Sequence, residues 1–226
     1  MCSLTHINNL ATLTLLRAEV EFANNDFDQA LSTAIAVVSL GGLIGNSEYP
    51  TLIELLVGIN TKNMGLQSIE RMLNNPEITI SYQIAQSIIE ILKQSRIKDT
   101  AFADSLCVEY MTSKETLATF EQFSNYFYQH NKTTNHRAEM YRIIIDLSLQ
   151  ECDVVAVNEQ DYMNEFTEDI LHLPTGWRVL LPNSVGKILN SVMFNPLLSA
   201  STLTCSVNEL NEKIHDSLKR ERDTSQ

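Results

Sequence analysis

The sequence predicts an all-α protein, either a multi-helix bundle or a stack of helical hairpins. Three observations predict it. Apolar residues recur three and four positions apart through most of the chain, which places them on one side of a helix. Helix-start signatures of the form Ser/Thr-x-x-Glu stand at Thr51/Glu54, Thr112/Glu115 and Ser206/Glu209, each ahead of such a run. The joins implied between runs are short, as is usual between packed helices.

The best-specified unit is Leu10–Leu40, two helices folded at Asn24-Asn25-Asp26. In the first, Leu13, Leu16, Val20 and Ala23 form an apolar stripe, while Arg17, Glu19, Glu21 and Asn24 fall largely elsewhere on the wheel. That stripe is expected to face the core. Asp26 is placed to cap the second helix, with Gln29 three residues on to return a bond. Leu31, Ala34, Ile35 and Val38 repeat the helical spacing before Gly41-Gly42 offers a stop.

Ala18, Asn25-Asp26-Phe27 and Ala30-Leu31 together resemble one tetratricopeptide unit, in which small residues let two helices approach and an aromatic wedges the turn. The resemblance covers one period of about 34 residues at about residues 10–40. Glu21 stands where the family has an aromatic residue, Ala34 replaces the large residue of the second helix, and no second copy follows from Leu52. It implies a helical hairpin of the kind used in protein–protein interaction.

Tyr49-Pro50 closes the next loop, and Thr51 with Glu54 opens a helix through Leu52, Leu55, Leu56 and Ile59. Leu66, Ile69, Met72 and Leu73 mark another, stopped at Asn74-Asn75-Pro76. Ile80, Ile84, Ile88 and Ile91 mark the next; isoleucines could argue for a strand, but the period of four with Gln83, Gln86, Glu90 and Lys93 between them argues better for a helix. Phe102, Leu106 and Tyr110 continue the pattern, and Thr112/Glu115 opens a helix through Leu117, Phe120, Phe123 and Phe127. Phe120–Tyr128 holds five of the fifteen Phe and Tyr residues, a density read as core. His130–Asn135 reads as a polar loop, followed by a helix through Met140, Ile143, Ile144 and Leu147.

Beyond Glu151 two short apolar runs, Val154–Val157 and Trp177–Leu181, read equally as a minor β pair or as helix ends. Tyr162, Phe166, Ile170 and Leu173 support a helix between them. Asn183 caps a run through Val185, Ile188, Leu189, Val192 and Met193 that ends at Asn195-Pro196. The last helix uses Val207, Leu210, Ile214 and Leu218, ahead of a frayed tail at 220–226. The total is about ten helices. The expected organisation is a helical domain over 1–150 and an acidic, mainly helical part over 151–219 that is continuous with it.

Composition narrows the function. The formal charge of −12 and pI near 4.8 repel phosphate backbones and anionic lipid headgroups, which disfavours direct nucleic-acid binding and a membrane-surface role. No run approaches the length of apolar residues that spans a bilayer, and the N-terminus carries no export signal. Cys2, Cys107, Cys152 and Cys205 share no metal-ligand spacing and read as free thiols of a reducing compartment, so the expected location is cytoplasmic.

Catalytic signatures are scarce. The sequence has no glycine-rich phosphate loop, no Gly-x-Ser-x-Gly elbow and no His-Glu-x-x-His. No cofactor is implied. His130, His136 and Glu139 are weak metal-ligand candidates if the loop folds back on the helix start. His172 sits one turn from Glu168, which would favour its cation, and Cys152 lies between Glu151 and Asp153, which would raise its thiol pKa.

No Lys or Arg occurs between Arg142 and Arg178, and carboxylates there interleave with aromatics: Glu159, Asp161, Tyr162, Glu165, Phe166, Asp169 and Trp177. Such a face steers a basic protein and anchors it through the rings. The expected function is therefore a protein–protein interaction module: an adaptor, a chaperone-like protein or a regulatory subunit. Two alternatives stay open, a helical enzyme with a site assembled from distant His and carboxylate residues and an acidic mimic of nucleic acid.

Overall fold

The computed structural model describes residues 4–98, 100–119, 121–124, 128–149 and 184–224. Among them are seven α-helices, one 3-10 turn at Glu121–Phe123, and no strand. The helices are α1 Leu4–Ala23, α2 Phe27–Gly45, α3 Leu52–Leu73, α4 Tyr82–Gln94, α5 Ala101–Ala118, α6 His130–Ser148 and α7 Ser184–Thr224. The fold is all-α, as the periodicity predicts. The runs at Val154–Val157 and Trp177–Leu181 lie outside the described residues.

Contacts divide the chain into two compact units, one of Met1–Ala101 with Thr204–Gln226 and one of Phe102–Leu203. The first is built on the α2–α3 pair, which makes the most extensive contact between elements. Leu31, Ala34, Ile35 and Val38 are buried on α2, and Leu55, Ile59, Leu66, Ile69 and Met72 on α3. Each set recurs at helical spacing, so one stripe meets the other.

Glycine sets how close the two helices come. A Cβ on Gly41 would overlap the Lys62 N and the Gly58 O, one on Gly58 would lie 2.5 Å from the Gly45 N, and one on Gly65 2.7 Å from the Val38 Cγ2. Backbone thus lies against backbone. Gly41-Gly42 therefore does not stop the helix: α2 runs on to Gly45 because these residues are needed at a contact rather than at a cap.

Capping held at one predicted site. Thr51 Oγ1 accepts from the Glu54 N–H at 3.3 Å, and Glu54 returns Oε2 to the Thr51 N–H at 2.9 Å. Thr51→Ala is expected to lower stability by about 1 kcal/mol, read from the urea midpoint at unchanged slope. Asp26 makes no side-chain cap bond; its neighbour Asn25 takes the left-handed φ of 60° that turns the chain.

Several predicted breaks do not occur. The runs at 52–59 and 66–73 are one helix, as no proline or cap separates them. Thr112 sits inside α5 and donates to the Val108 O at 3.0 Å rather than capping. The polar stretch His130–Asn135 is the first part of α6, drawn into the helix by the buried side chains of Thr133 and Arg137. Helix α7 passes through Asn195-Pro196, although a proline there removes one backbone donor and crowds the preceding turn, and Ser206 lies in its interior. It continues to Thr224, into the tail expected to fray.

In the second unit Phe102, Leu106, Leu117, Met140, Tyr141 and Ile144 are buried, and the Tyr110 and Tyr141 rings lie 5.5 Å apart. Burial raises the Tyr141 phenol and lowers the Arg137 guanidinium from their ordinary values. Of the predicted Phe120–Tyr128 aromatic cluster, Tyr128 is described and buried.

Candidate interaction face and a buried lysine

Helix α1 is one-sided, but it is turned the opposite way from the sequence expectation. Leu10, Leu13, Leu16 and Val20 are 56%, 65%, 56% and 62% exposed, whereas Ala11 and Ala18 are fully buried. The leucine stripe faces solvent. Polar contacts fix this rotation: Glu19 binds Ser68 and Arg71 of α3, and Glu21 accepts from Thr33 Oγ1 of α2 at 2.6 Å and from Arg17 Nε at 2.7 Å. The bond from Thr33, then that from Arg17, holds the Glu21 carboxyl below the usual carboxylate range. With these acids anchored inward, the alanine side packs and the leucine side is left out.

The exposed stripe is apolar from Leu10 to Leu16, and the exposed Arg17 lies beside Val20 at its far end. Leu4–Leu16 contains no Asp, Glu, Lys or Arg, a long neutral stretch in a chain of charge −12. Four large side chains, each more than half exposed, present on the order of 400 Å² of apolar surface, within the range of functional patches on monomers. Leu43, Tyr49 and Ile53 are also strongly exposed at the α2–α3 turn, where Tyr49 holds a left-handed φ of 55° unusual for a bulky residue.

Lys62 is the second unusual feature. It is fully buried, on the α3 stripe between Ile59 and Leu66. Its Nζ donates to the Ser95 O, 2.8 Å away, at the C-terminal end of α4. That end of a helix presents unsatisfied carbonyls and a partial negative charge. Burial, with a smaller contribution from the positive field of Arg96, pulls the amine down to about 7. The amine has no exposed surface through which a substrate could reach it.

The acidic and aromatic residues proposed from sequence, Glu159, Asp161, Tyr162, Glu165, Phe166, Asp169 and Trp177, lie outside the described residues, as do His172 and Cys152. His130, His136 and Glu139 share α6, but among the described residues no three potential ligands converge on a metal position. Glu139 is bonded to Arg142 at 2.6 Å, and His130 Nδ1 lies 3.5 Å from the Tyr128 hydroxyl.

The thiol expectation needs correction. Cys107 is free and exposed, but Cys205 is disulfide-bonded. Four free thiols therefore no longer argue for a reducing compartment. By length and composition α2 could cross a membrane; half of that stretch is buried inside the protein. A depression bordered by Ala118, Thr119, Glu121 and Gln122 is wide open, with Glu121 as its one titratable lining residue.

No family model matches this chain, nor does any curated protein or solved structure.

Proposed function

We propose that this protein is a helical interaction module, of the adaptor or regulatory-subunit kind, and that the outer face of α1 is its docking surface. The observation that carries this reading is the exposure of Leu10, Leu13, Leu16 and Val20 on one side of a helix whose other side is already packed. An apolar strip of about three turns suits a partner helix with apolar residues at i, i+3, i+4 and i+7. The net charge of −12 favours a partner with basic flanks, and the acidic stretch around Glu159–Asp169 would speed its approach.

The strip is wet in the free protein, so charging it should remove binding without unfolding the chain. Leu13→Lys with Leu16→Lys is expected to leave the thermal midpoint within a few degrees of wild type, because both side chains are exposed. Loss of two central apolar anchors is expected to weaken the partner about 100-fold or more. The readout is parallel affinity capture from the native host by both proteins at low and physiological salt. A protein held stoichiometrically by wild type and absent from the variant is expected; a partner held equally by both rules this face out.

A further inference from the structure

Independently of the α1 surface, the residues around Lys62 form a clamp on one irregular stretch of chain. Between α4 and α5 the backbone at Ser95–Lys98 belongs to no helix, and side chains hold it. Lys62 Nζ donates to the Ser95 O at 2.8 Å. Asn46 grips the link twice, donating to the Arg96 O at 2.9 Å and accepting from the Lys98 N–H at 2.9 Å. Asn208 donates to the Ile97 O and Asn211 to the Leu92 O, each at 3.2 Å. Gly42 completes the seat: a Cβ there would lie 2.6 Å from the Ser95 Cβ.

Within that clamp Lys62 is the one titratable donor. The amide oxygens of Asn208 and Asn211 are buried without a partner, so the network is only partly satisfied. We propose that Lys62 is a proton-operated catch on the Ser95–Lys98 link, holding it when the amine is neutral and loosening it when the amine takes up a proton.

The reason is donor count and charge. A neutral amine can seat itself with one acceptor, whereas an ammonium brings three N–H groups and a charge to a buried seat where the Ser95 carbonyl is its one described acceptor. Beyond the partial negative charge at the C-terminal end of α4, no charge among the described residues compensates. Arg96, on the link itself, opposes the cation and lies 3.6 Å from Glu212 of α7. Glu19 is taken by Arg71, Glu21 by Arg17 and Thr33, Glu70 by Lys213, and Asp28 of α2 accepts from the Ser81 N–H. Lys93 and Lys98 are exposed, as is Glu90, which accepts from Gln94.

With a seated value of about 7 against 10.5 for a free lysine, the catch tightens as pH rises across that interval and is loosest at and below neutrality. The test is hydrogen–deuterium exchange of the full chain, corrected for intrinsic rates, at pH 5.5, 7.0 and 8.5, alongside titration of lysine ¹³Cε resonances. Protection of the link is expected to rise roughly tenfold or more from pH 7.0 to 8.5 and to change little from 5.5 to 7.0. Lys62→Met should abolish that rise, while Asn46→Ala, which removes non-titrating bonds, should lower protection at every pH and keep it. A Lys62 resonance titrating at the ordinary lysine value, or wild-type protection that does not change between pH 7.0 and 8.5, overturns the proposal without recourse to a variant.

Discussion

Lys62→Met is expected to stabilise the protein by about 3 kcal/mol at pH 7 and to destabilise it by about 1 to 2 kcal/mol above about pH 10.5, where only the lost bond to the Ser95 O remains. The folded lysine titrates near 7 and the unfolded one at 10.5, so between those values the unfolded chain binds more protons. Wild-type stability should therefore rise with pH through that window and be flat below it. Three and a half pH units correspond to a penalty of as much as about 5 kcal/mol at neutrality. Removing the amine lifts that penalty but leaves the Ser95 O without its donor, a loss of about 1 to 2 kcal/mol. Urea unfolding of both proteins at pH 6, 7, 8.5 and 10 checks it through the difference between the two curves, in which other titrations cancel. A constant difference across the series would show that the buried amine does not carry the pH dependence.

Gly41→Ala should act in the opposite direction, lowering stability by about 3 kcal/mol. Its new methyl would overlap the Lys62 N and the Gly58 O, both backbone atoms that no rotamer change can move. Alanine's better helix propensity returns at most about 1 kcal/mol, so the clash dominates. Leu43→Ala, at an exposed position on the same helix, is the control and should stay within about 0.5 kcal/mol. Equal midpoints for Gly41→Ala and wild type would mean that α2 and α3 do not approach through these glycines.

The helical character, the α2 and α3 core stripes and the Thr51 cap were legible in the sequence because each is a local signal backed by burial. What misled was the side of α1. Leu13, Leu16 and Val20 read as core on hydrophobicity alone, yet the tertiary bonds of Glu19 and Glu21 decide the rotation, and those partners lie 12 to 52 residues away. Gly41-Gly42 misled for a related reason, since a glycine that ends a helix and one that admits another helix look alike without the partner. Lys62 did leave a trace: Leu55, Ile59, Lys62, Leu66 and Ile69 keep one helical stripe with a single charge in it.

Docking of another protein on the outer face of α1 can be read by photo-crosslinking in the native host. A benzophenone side chain placed at Leu13 or Leu16 should yield one discrete, higher-mass adduct, whereas the same group at Gln83, exposed on α4, should not. No adduct from either α1 position, or the same adduct from Gln83, would contradict it.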